Sequence, residues 1–144
     1  MSKTDLEVAQ ATARLMWAND RASKEMGLEL GEVTPGEASV HLTVKAGMLN
    51  SHGVCHGGLI FAMADTAFAF ACNSLNRRAV TMHCTISFID RVTAGTRLSA
   101  HASGVAVYGR NGIFDVTVTD DQGVKIAEFR GYSRTIGGEW VSEG

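Results

Sequence analysis

The chain has 144 residues, of which 45% are hydrophobic and 19% are charged, and its formal net charge at pH 7 is -2. This length and composition predict one compact domain over residues 1–144, with enough apolar residues for a real core. The slightly acidic balance excludes nucleic acid as the main partner, because phosphate binding requires a basic surface.

The N-terminal segment Thr4-Asp5-Leu6-Glu7 has the capping-box pattern, in which a hydroxyl caps the first turn and a carboxylate three residues later reaches back. Beyond it, apolar residues recur at helical spacing: Leu6, Ala9, Ala13, Met16 and Trp17. Gly27, directly after Met26, predicts the end of this helix. We therefore expect one amphipathic helix from Thr4 to Met26, lying on a surface.

Five segments have the patterns of strands. Over 38–45 apolar and polar residues alternate, which is the period of a strand with one buried face. Four later segments are rich in β-branched and aromatic residues: 79–89, 96–108, 113–119 and 124–134. Residues 109–112 and 120–123 separate the last three at hairpin distance, so neighbours in sequence are expected to pair antiparallel.

A helix between these strands is the most informative segment. From 59 to 72 it is apolar nearly all round and is broken only by Asp65 and Thr66, and an unpaired carboxylate inside a protein costs several kcal/mol. Such a helix, followed by four consecutive strands, is buried most simply by a curved antiparallel sheet wrapped around it. The sequence thus predicts an α+β hot-dog fold with a long buried central helix and an N-terminal helix.

Two glycines open the central helix. The amides of Gly57 and Gly58 lack partners within the helix and lie at the positive end of its dipole. Such groups polarise a carbonyl oxygen, and glycine lets a ligand approach the backbone closely. The simpler alternative is that the two glycines relieve crowding in a tight turn.

Asp65 lies eight residues after Gly57, about 12 Å along the helix axis, too far for both to act on one carbonyl group. If two copies placed these helices antiparallel across a two-fold axis, Asp65 of one would approach Gly57 of the other. Ala62 and Ala69 keep that face small enough for close contact. The alternative is a core carboxylate that accepts hydrogen bonds from a neighbouring loop.

Other candidates near this helix carry weaker signals. His52, Cys55 and His56 lack the fourth ligand and the spacing of a zinc site, and no P-loop pattern follows the glycines, so we expect no metal and no cofactor. Cys55 is expected to pack in the interior. Asn50 lies just upstream of the helix, where its amide could contact a water or a carbonyl, although asparagine is common in turns for backbone reasons.

Two aromatic side chains flank Asp65 at helical spacing. Phe61 and Phe68 could line a flat apolar pocket, although residues at that density are commonly core. The run 59–72 is shorter than the roughly 20 residues of a membrane span and contains Asp65. Three cysteines and no charged-then-apolar leader before the first helix indicate a cytoplasmic protein with free thiols and no membrane partner.

The chain resembles the PaaI-type hot-dog acyl-CoA thioesterases of phenylacetate degradation. The resemblance extends through nearly the whole chain and rests on Met48-Leu49-Asn50, His52, Cys55-His56-Gly57-Gly58, Ala64-Asp65-Thr66-Ala67-Phe68-Ala69, Ala71-Cys72-Asn73-Ser74, Phe129-Arg130-Gly131 and Ile136-Gly137-Gly138. It implies hydrolysis of an aryl-acetyl CoA, phenylacetyl or ring-hydroxylated phenylacetyl, by a homotetramer of two hot-dog dimers. It also implies roles for Asp65 as base or nucleophile, for the Gly57 amide in polarising the carbonyl, and for Asn50, His56 and Thr66 in support.

Several alternatives stay open at this point. Asp65 could activate a water against the thioester carbonyl or attack it directly to form an anhydride. The phosphates of CoA require cations, for which these arginines are available without an assignment: Arg77, Arg78, Arg91, Arg110 and Arg134. A hot-dog dehydratase or hydratase would need a catalytic histidine opposite Asp65. A non-catalytic acyl-CoA-binding module would need the pocket but not the carboxylate.

Overall fold

The computed structural model describes residues 2–144. In chain order the elements are α1 (Asp5–Asn19), α2 (Arg21–Glu25), β1 (Glu29–Thr34), β2 (Glu37–Thr43), α3 (Gly57–Asn73), β3 (Ala79–Phe88), β4 (Arg97–Tyr108), β5 (Asn111–Thr119) and β6 (Lys125–Thr135). A 3-10 turn (Ala46–Met48) precedes the loop that leads into α3. The predicted central helix and the five predicted strands are all present, with bounds shifted by one or two residues.

The N-terminal helix begins as predicted but ends early. Its capping box is formed: the Glu7 amide donates to the Thr4 hydroxyl and the Thr4 amide to the Glu7 carboxylate, each at 3.1 Å. The prediction of one unbroken helix is wrong, because Asp20 ends α1 and its carboxylate accepts from the Ser23 amide at 3.0 Å to start α2. An aspartate that caps a new turn competes with continuation of the helix. The second helix ends before Gly27, as predicted, where φ is +83°.

The buried stripe of α1 is narrower than predicted. Ala9 and Ala13 are buried, and the Trp17 ring packs against Phe70 of α3 with centroids 6.2 Å apart. Leu6, which was expected on this stripe, is 44% exposed. The helix therefore lies on a surface of the domain, as predicted, and covers part of α3 with its small residues.

The strands within residues 2–144 form one antiparallel sheet in the order β1-β2-β4-β5-β6-β3. The predicted hairpins are confirmed, because β5 pairs with both β4 and β6. β3 crosses over to pair with β6, and its other edge has no partner strand within the described chain. β1 was not predicted from the sequence, because its apolar alternation is broken where the register shifts between Leu30 and Val33.

α3 packs against one face of this sheet and forms the core with it. Phe68 is fully buried at the centre, with its ring centroid 5.9 Å from that of Phe114 and 5.8 Å from that of Phe129. Gly131 makes room for it, since a Cβ there would lie 2.7 Å from the Phe68 ring. The predicted arrangement, an antiparallel sheet around a long central helix, is confirmed.

One face of α3 is less buried than predicted. Ala62, Asp65, Thr66 and Ala69 are only partly buried, whereas most other residues of the helix are buried. These four positions recur at helical spacing, so they form a single stripe along α3. We call these four residues the outward stripe, because they face away from the sheet and keep contact with solvent.

Candidate active site

The loop before α3 is shaped by Asn50. Its side-chain oxygen accepts hydrogen bonds from the amides of His52 (2.9 Å) and Val54 (3.3 Å), and its own backbone amide donates to the Val54 carbonyl at 2.8 Å. The Cys55 amide donates to the Val92 carbonyl at 2.8 Å, which ties the loop to the segment after β3. Within residues 2–144 the Nδ2 group of Asn50 has no acceptor, so it can still donate to a ligand.

At the start of α3, one backbone N–H has no hydrogen-bond acceptor within residues 2–144. His56 caps the helix: its ring Nδ1 accepts from the Gly58 amide at 2.9 Å, and its carbonyl accepts from the Leu59 amide at 3.0 Å. The Gly57 amide lies in the first turn, has no intrahelical acceptor, and finds none elsewhere in the described chain. The expectation that both glycine amides are unpartnered therefore applies to Gly57 but not to Gly58. The positive end of α3 presents the Gly57 N–H to a ligand.

A cleft of about 360 Å³ opens beside this amide. Its wall includes Phe88, the last residue of β3, and the three residues that follow it, Ile89, Asp90 and Arg91. A Cβ at Gly57 would lie 3.3 Å from the Phe88 ring, so the missing side chain is what lets the ring stand beside the helix start. Sequence reasoning listed Arg91 only among the unassigned arginines. It missed Phe88, Ile89 and Asp90, because only the path of β3 across the sheet brings this segment to α3.

Asp65 lies on the outward stripe. Burial raises the pKa of its carboxyl above the ordinary value, because desolvation disfavours the charged form. No hydrogen bond or opposite charge within residues 2–144 counteracts this effect, so the alternative of a carboxylate held by a neighbouring loop does not apply. Burial, and after it the charge of Asp65, also raises the pKa of the Cys84 thiol in β3. Such a carboxylate has the properties of a general base.

One chain keeps Asp65 and the Gly57 amide apart. α3 is a single helix of 17 residues that begins at Gly57, so Asp65 lies about 12 Å along the axis from that amide. A site that applies both groups to one carbonyl carbon would need two copies of the chain.

The remaining predicted binding residues have different surroundings. The Thr66 hydroxyl donates to the Ala62 carbonyl at 2.7 Å, so it is engaged within α3. Phe61 is partly buried, with its ring edge-on to Phe129 at 5.7 Å, beside the outward stripe. Phe68 has no exposed surface in the chain, so we assign it to the core and do not carry it into a substrate pocket.

The thiols of the chain are free, and burial governs their chemistry. It raises the pKa of the Cys55 thiol, and it raises the pKa of Cys72 to about 12, so both stay protonated near neutral pH. Cys55 is buried, as expected for a packing residue. Within residues 2–144 no three His, Cys, Asp or Glu side chains are grouped so that they could hold a metal ion. In the same part of the chain, no helix is long and apolar enough to cross a membrane.

Comparison with known proteins identifies the class of protein. A family model described as "Thioesterase superfamily" matches residues 52–127, a range that contains all of α3 with Gly57 and Asp65. The chain belongs to this superfamily, and it is a thioesterase of the hot-dog fold, a hydrolase.

The similarity to individual relatives covers almost the entire chain. Acyl-coenzyme A thioesterase PaaI of Escherichia coli (strain K12) is 41% identical over 135 residues, which cover 94% of this chain and 96% of that protein. The solved structure of the E. coli PaaI protein from the phenylacetic acid degradation operon has a TM-score of 0.92 at 40% identity, covering 94% of this chain and 99% of that one. A variant of phenylacetic acid degradation protein PaaI from Thermus thermophilus has a TM-score of 0.78 at 34% identity, covering 81% and 100%. These findings confirm the resemblance to PaaI-type thioesterases.

Proposed function

We propose that this chain is an acyl-CoA thioesterase that hydrolyses aryl-acetyl CoA thioesters, phenylacetyl or ring-hydroxylated phenylacetyl, to the free acid and CoA. The observation that carries the proposal is the presence on one helix of an unpartnered Gly57 amide and an unpartnered, partly buried Asp65 carboxylate. The names of the E. coli relatives support the substrate class. The enzyme would act in the cytoplasm as a single domain over 1–144, in agreement with its free thiols.

In the proposed mechanism the Gly57 amide donates to the carbonyl oxygen of the thioester. Its N–H, at the positive end of the α3 dipole, stabilises the negative charge that develops on this oxygen when the carbonyl carbon is attacked. Asp65 accepts a proton from the attacking water, and CoA leaves as a thiolate that is then protonated. Direct attack by Asp65 would form an anhydride that water cleaves in a second step. Each route uses only protein groups and water.

The proposed active site is composite, and the edge strand β3 supports this. The ten residues of β3 include no Asp, Glu, Lys or Arg, and Val80, Met82 and Phe88 are 41%, 58% and 54% exposed. Sheet edges that face water commonly carry such charges, which prevent pairing, so an edge without them is suited to pair with a second copy. Antiparallel pairing along β3 would set the two α3 helices antiparallel and bring Asp65 of one copy to Gly57 of the other. Two such dimers would form the proposed homotetramer.

The acyl preference is assigned to aromatic side chains beside the two reacting groups. Phe61 lies one turn before Asp65, and Phe88 stands against Gly57. Flat apolar walls bury more of an aryl group than of an acetyl group. We expect phenylacetyl-type CoA esters to have a kcat/KM about tenfold or more above acetyl-CoA and palmitoyl-CoA.

A panel of acyl-CoA esters, assayed for thiol release under identical conditions, tests this preference. Phe61→Leu should reduce it, whereas the control Phe70→Leu, a core change on another face of α3, should leave the ranking of substrates unchanged. A clear preference for long straight chains would refute the aryl assignment and leave thioester hydrolysis standing.

The central experiment replaces Asp65 by asparagine. Asn keeps the size and hydrogen-bonding reach but removes the basicity, so thiol release should fall by roughly 10² or more while substrate binding survives. The matched control is Asp121→Asn, which makes the same change at an exposed turn position. Near-normal turnover of the Asp65→Asn protein would show that another group is the base. Wild-type protein that binds acyl-CoA without releasing thiol would favour the binding module instead.

A further inference from the structure

The face of the sheet that points away from α3 carries two serine–histidine pairs. Ser39 of β2 lies opposite His101 of β4, and His41 of β2 lies opposite Ser99 of β4. The Ser39 hydroxyl is 3.0 Å from the ring Nδ1 of His101, and the Ser99 hydroxyl is 2.8 Å from the ring Nδ1 of His41. Because side chains alternate along a strand, all four project from one face of the sheet. The two pairs therefore make the same contact between a hydroxyl and an imidazole.

A carboxylate distinguishes the first pair from the second. Glu37, two residues before Ser39, places its carboxylate 3.0 Å from the other ring nitrogen of His101, Nε2. The residue at the equivalent position before Ser99 is Arg97, a cation that accepts no hydrogen bond. Within residues 2–144, no carboxylate makes a hydrogen bond to the imidazole of the second pair.

The carboxylate determines which nitrogen of His101 holds the proton. An ionised carboxylate only accepts hydrogen bonds, so in the neutral ring Nε2 carries the hydrogen and Nδ1 has a free lone pair. Nδ1 then accepts from the Ser39 hydroxyl, which is the arrangement of a serine nucleophile and its base. Glu37 also stabilises the imidazolium that forms when the ring takes the hydroxyl proton.

We propose that Ser39, His101 and Glu37 form a second nucleophilic site, separate from the thioester site on α3, that accepts acyl groups from small neutral esters with a good leaving group. A cleft of about 270 Å³ opens at these three side chains, and its wall also contains Glu32 and Thr34. A cleft of this size accommodates a small ester. Its carboxylates repel the phosphates of CoA, so the two sites take different substrates.

The proposed reaction has two steps. In the first, the Ser39 oxygen forms a bond to the ester carbonyl carbon while its proton passes to His101 Nδ1. The Thr34 hydroxyl in the wall can donate to the oxygen that becomes negative. The bond to the leaving phenol then breaks, and the leaving oxygen takes the proton from Nδ1. In the second step, water attacks the acyl-serine by the reverse route, which releases the acid and restores Ser39.

The sheet fixes these groups but leaves them in contact with water. β2 and β4 are each paired on both sides, so the sheet sets the backbone positions of Ser39 and His101. The side chains of His101 and Glu37 are 55% and 50% exposed, so water weakens their hydrogen bond relative to a buried one. We therefore expect Ser39 to react about tenfold or more faster than Ser99, the low end of what a general base contributes.

The test compares two serines within one protein. Diisopropyl fluorophosphate, a small neutral reagent, forms a phosphorus–oxygen bond to an activated serine and expels fluoride, and peptide mass spectrometry locates the adduct. At incomplete labelling, Ser39 should be modified at least about tenfold faster than Ser99. Glu37→Gln and His101→Gln should each reduce the rate at Ser39 to near that at Ser99.

The matched control is Glu128→Gln. Glu128 lies on the same face of the sheet and accepts a hydrogen bond from the Thr117 hydroxyl at 2.9 Å, not from a histidine. Its replacement should leave the rate at Ser39 within about twofold of the wild type. Ser99 is an internal reference in every variant, because a general loss of folding would alter both serines together. Absence of an adduct at Ser39, equal rates at the two serines, or an unchanged rate in Glu37→Gln would overturn the proposal.

Turnover is measured with p-nitrophenyl acetate in the Asp65→Asn background, which removes the base proposed for the thioester site. In that background Ser39→Ala should lower the enzymatic release of p-nitrophenol by about fivefold or more, whereas Ser99→Ala should not. Because neither reagent is a CoA thioester, the results do not depend on the proposed function. Equal rates of release in the two serine variants would overturn the proposal.

Discussion

The Gly57 amide can be removed while α3 is kept. Proline is accepted at the first position of a helix, where the N–H has no intrahelical partner. The preceding residue, His56, has φ of -59° and ψ of 130°, which is the backbone region favoured before proline. The new Cβ would lie 3.3 Å from the end of the Phe88 ring, which is more than half exposed and can turn aside. Gly57→Ala makes the same Cβ contact and keeps the N–H, so it is the matched control.

We expect Gly57→Pro to lower kcat for thiol release by about 10² to 10³, or about 2.7 to 4 kcal/mol, the effect of removing one oxyanion donor. Gly57→Ala should stay within about tenfold of the wild type, because only the position of a ring is disturbed. Circular dichroism would verify that both variants keep α3. If the proline variant is as active as the alanine variant, the Gly57 amide does not stabilise the oxyanion and the mechanism fails.

The same variant tests the composite site. Equal amounts of Asp65→Asn and Gly57→Pro protein, exchanged at random, yield hybrids in half of the dimers, each with one site that has both groups intact. Activity should therefore return to about a quarter of the wild-type level. If subunit exchange is demonstrated and no activity returns, the two groups do not meet across a dimer.

Two further predictions concern stability. Because folding raises the pKa of Asp65, its ionised form costs stability as pH rises through that value, so Asp65→Asn should raise Tm at pH 7. We expect the free energy of unfolding to rise by about 1 kcal/mol, allowing for the solvent contact of this carboxylate, which corresponds to an increase in Tm of about 2–4 °C. The gain should vanish at acidic pH, where both side chains are neutral. An equal gain at every pH would contradict this explanation. Gly131→Ala places a Cβ against the Phe68 ring and should lower the free energy of unfolding, measured by chemical denaturation, by about 1–3 kcal/mol. The control Gly47→Ala adds a Cβ in open space and should leave stability unchanged. Equal stability of the two variants would contradict the packing of Phe68 against Gly131.

Local patterns in the sequence determined which residues we propose for the chemistry. The glycine opening of α3 and the single carboxylate in its apolar run are visible without a structure, because burial of a charge is unfavourable wherever the helix packs. The same is true of the hairpins of β4, β5 and β6, since their turns and alternation are contained in short stretches of chain. Capping by Thr4 was predictable for the same reason.

Tertiary packing decided what surrounds those residues. The pairing of β3 with β6 brings Phe88 to Gly57, and the position of α3 over Gly131 buries Phe68. Neither contact can be predicted from spacing along the chain. The break between α1 and α2 arises because the Asp20 side chain competes with the next backbone hydrogen bond of the helix. The energy difference between the two arrangements is small, and apolar periodicity does not predict which one forms. Such outcomes depend on registers between distant segments, which are set by the burial of the whole sheet face at once and not by any one segment.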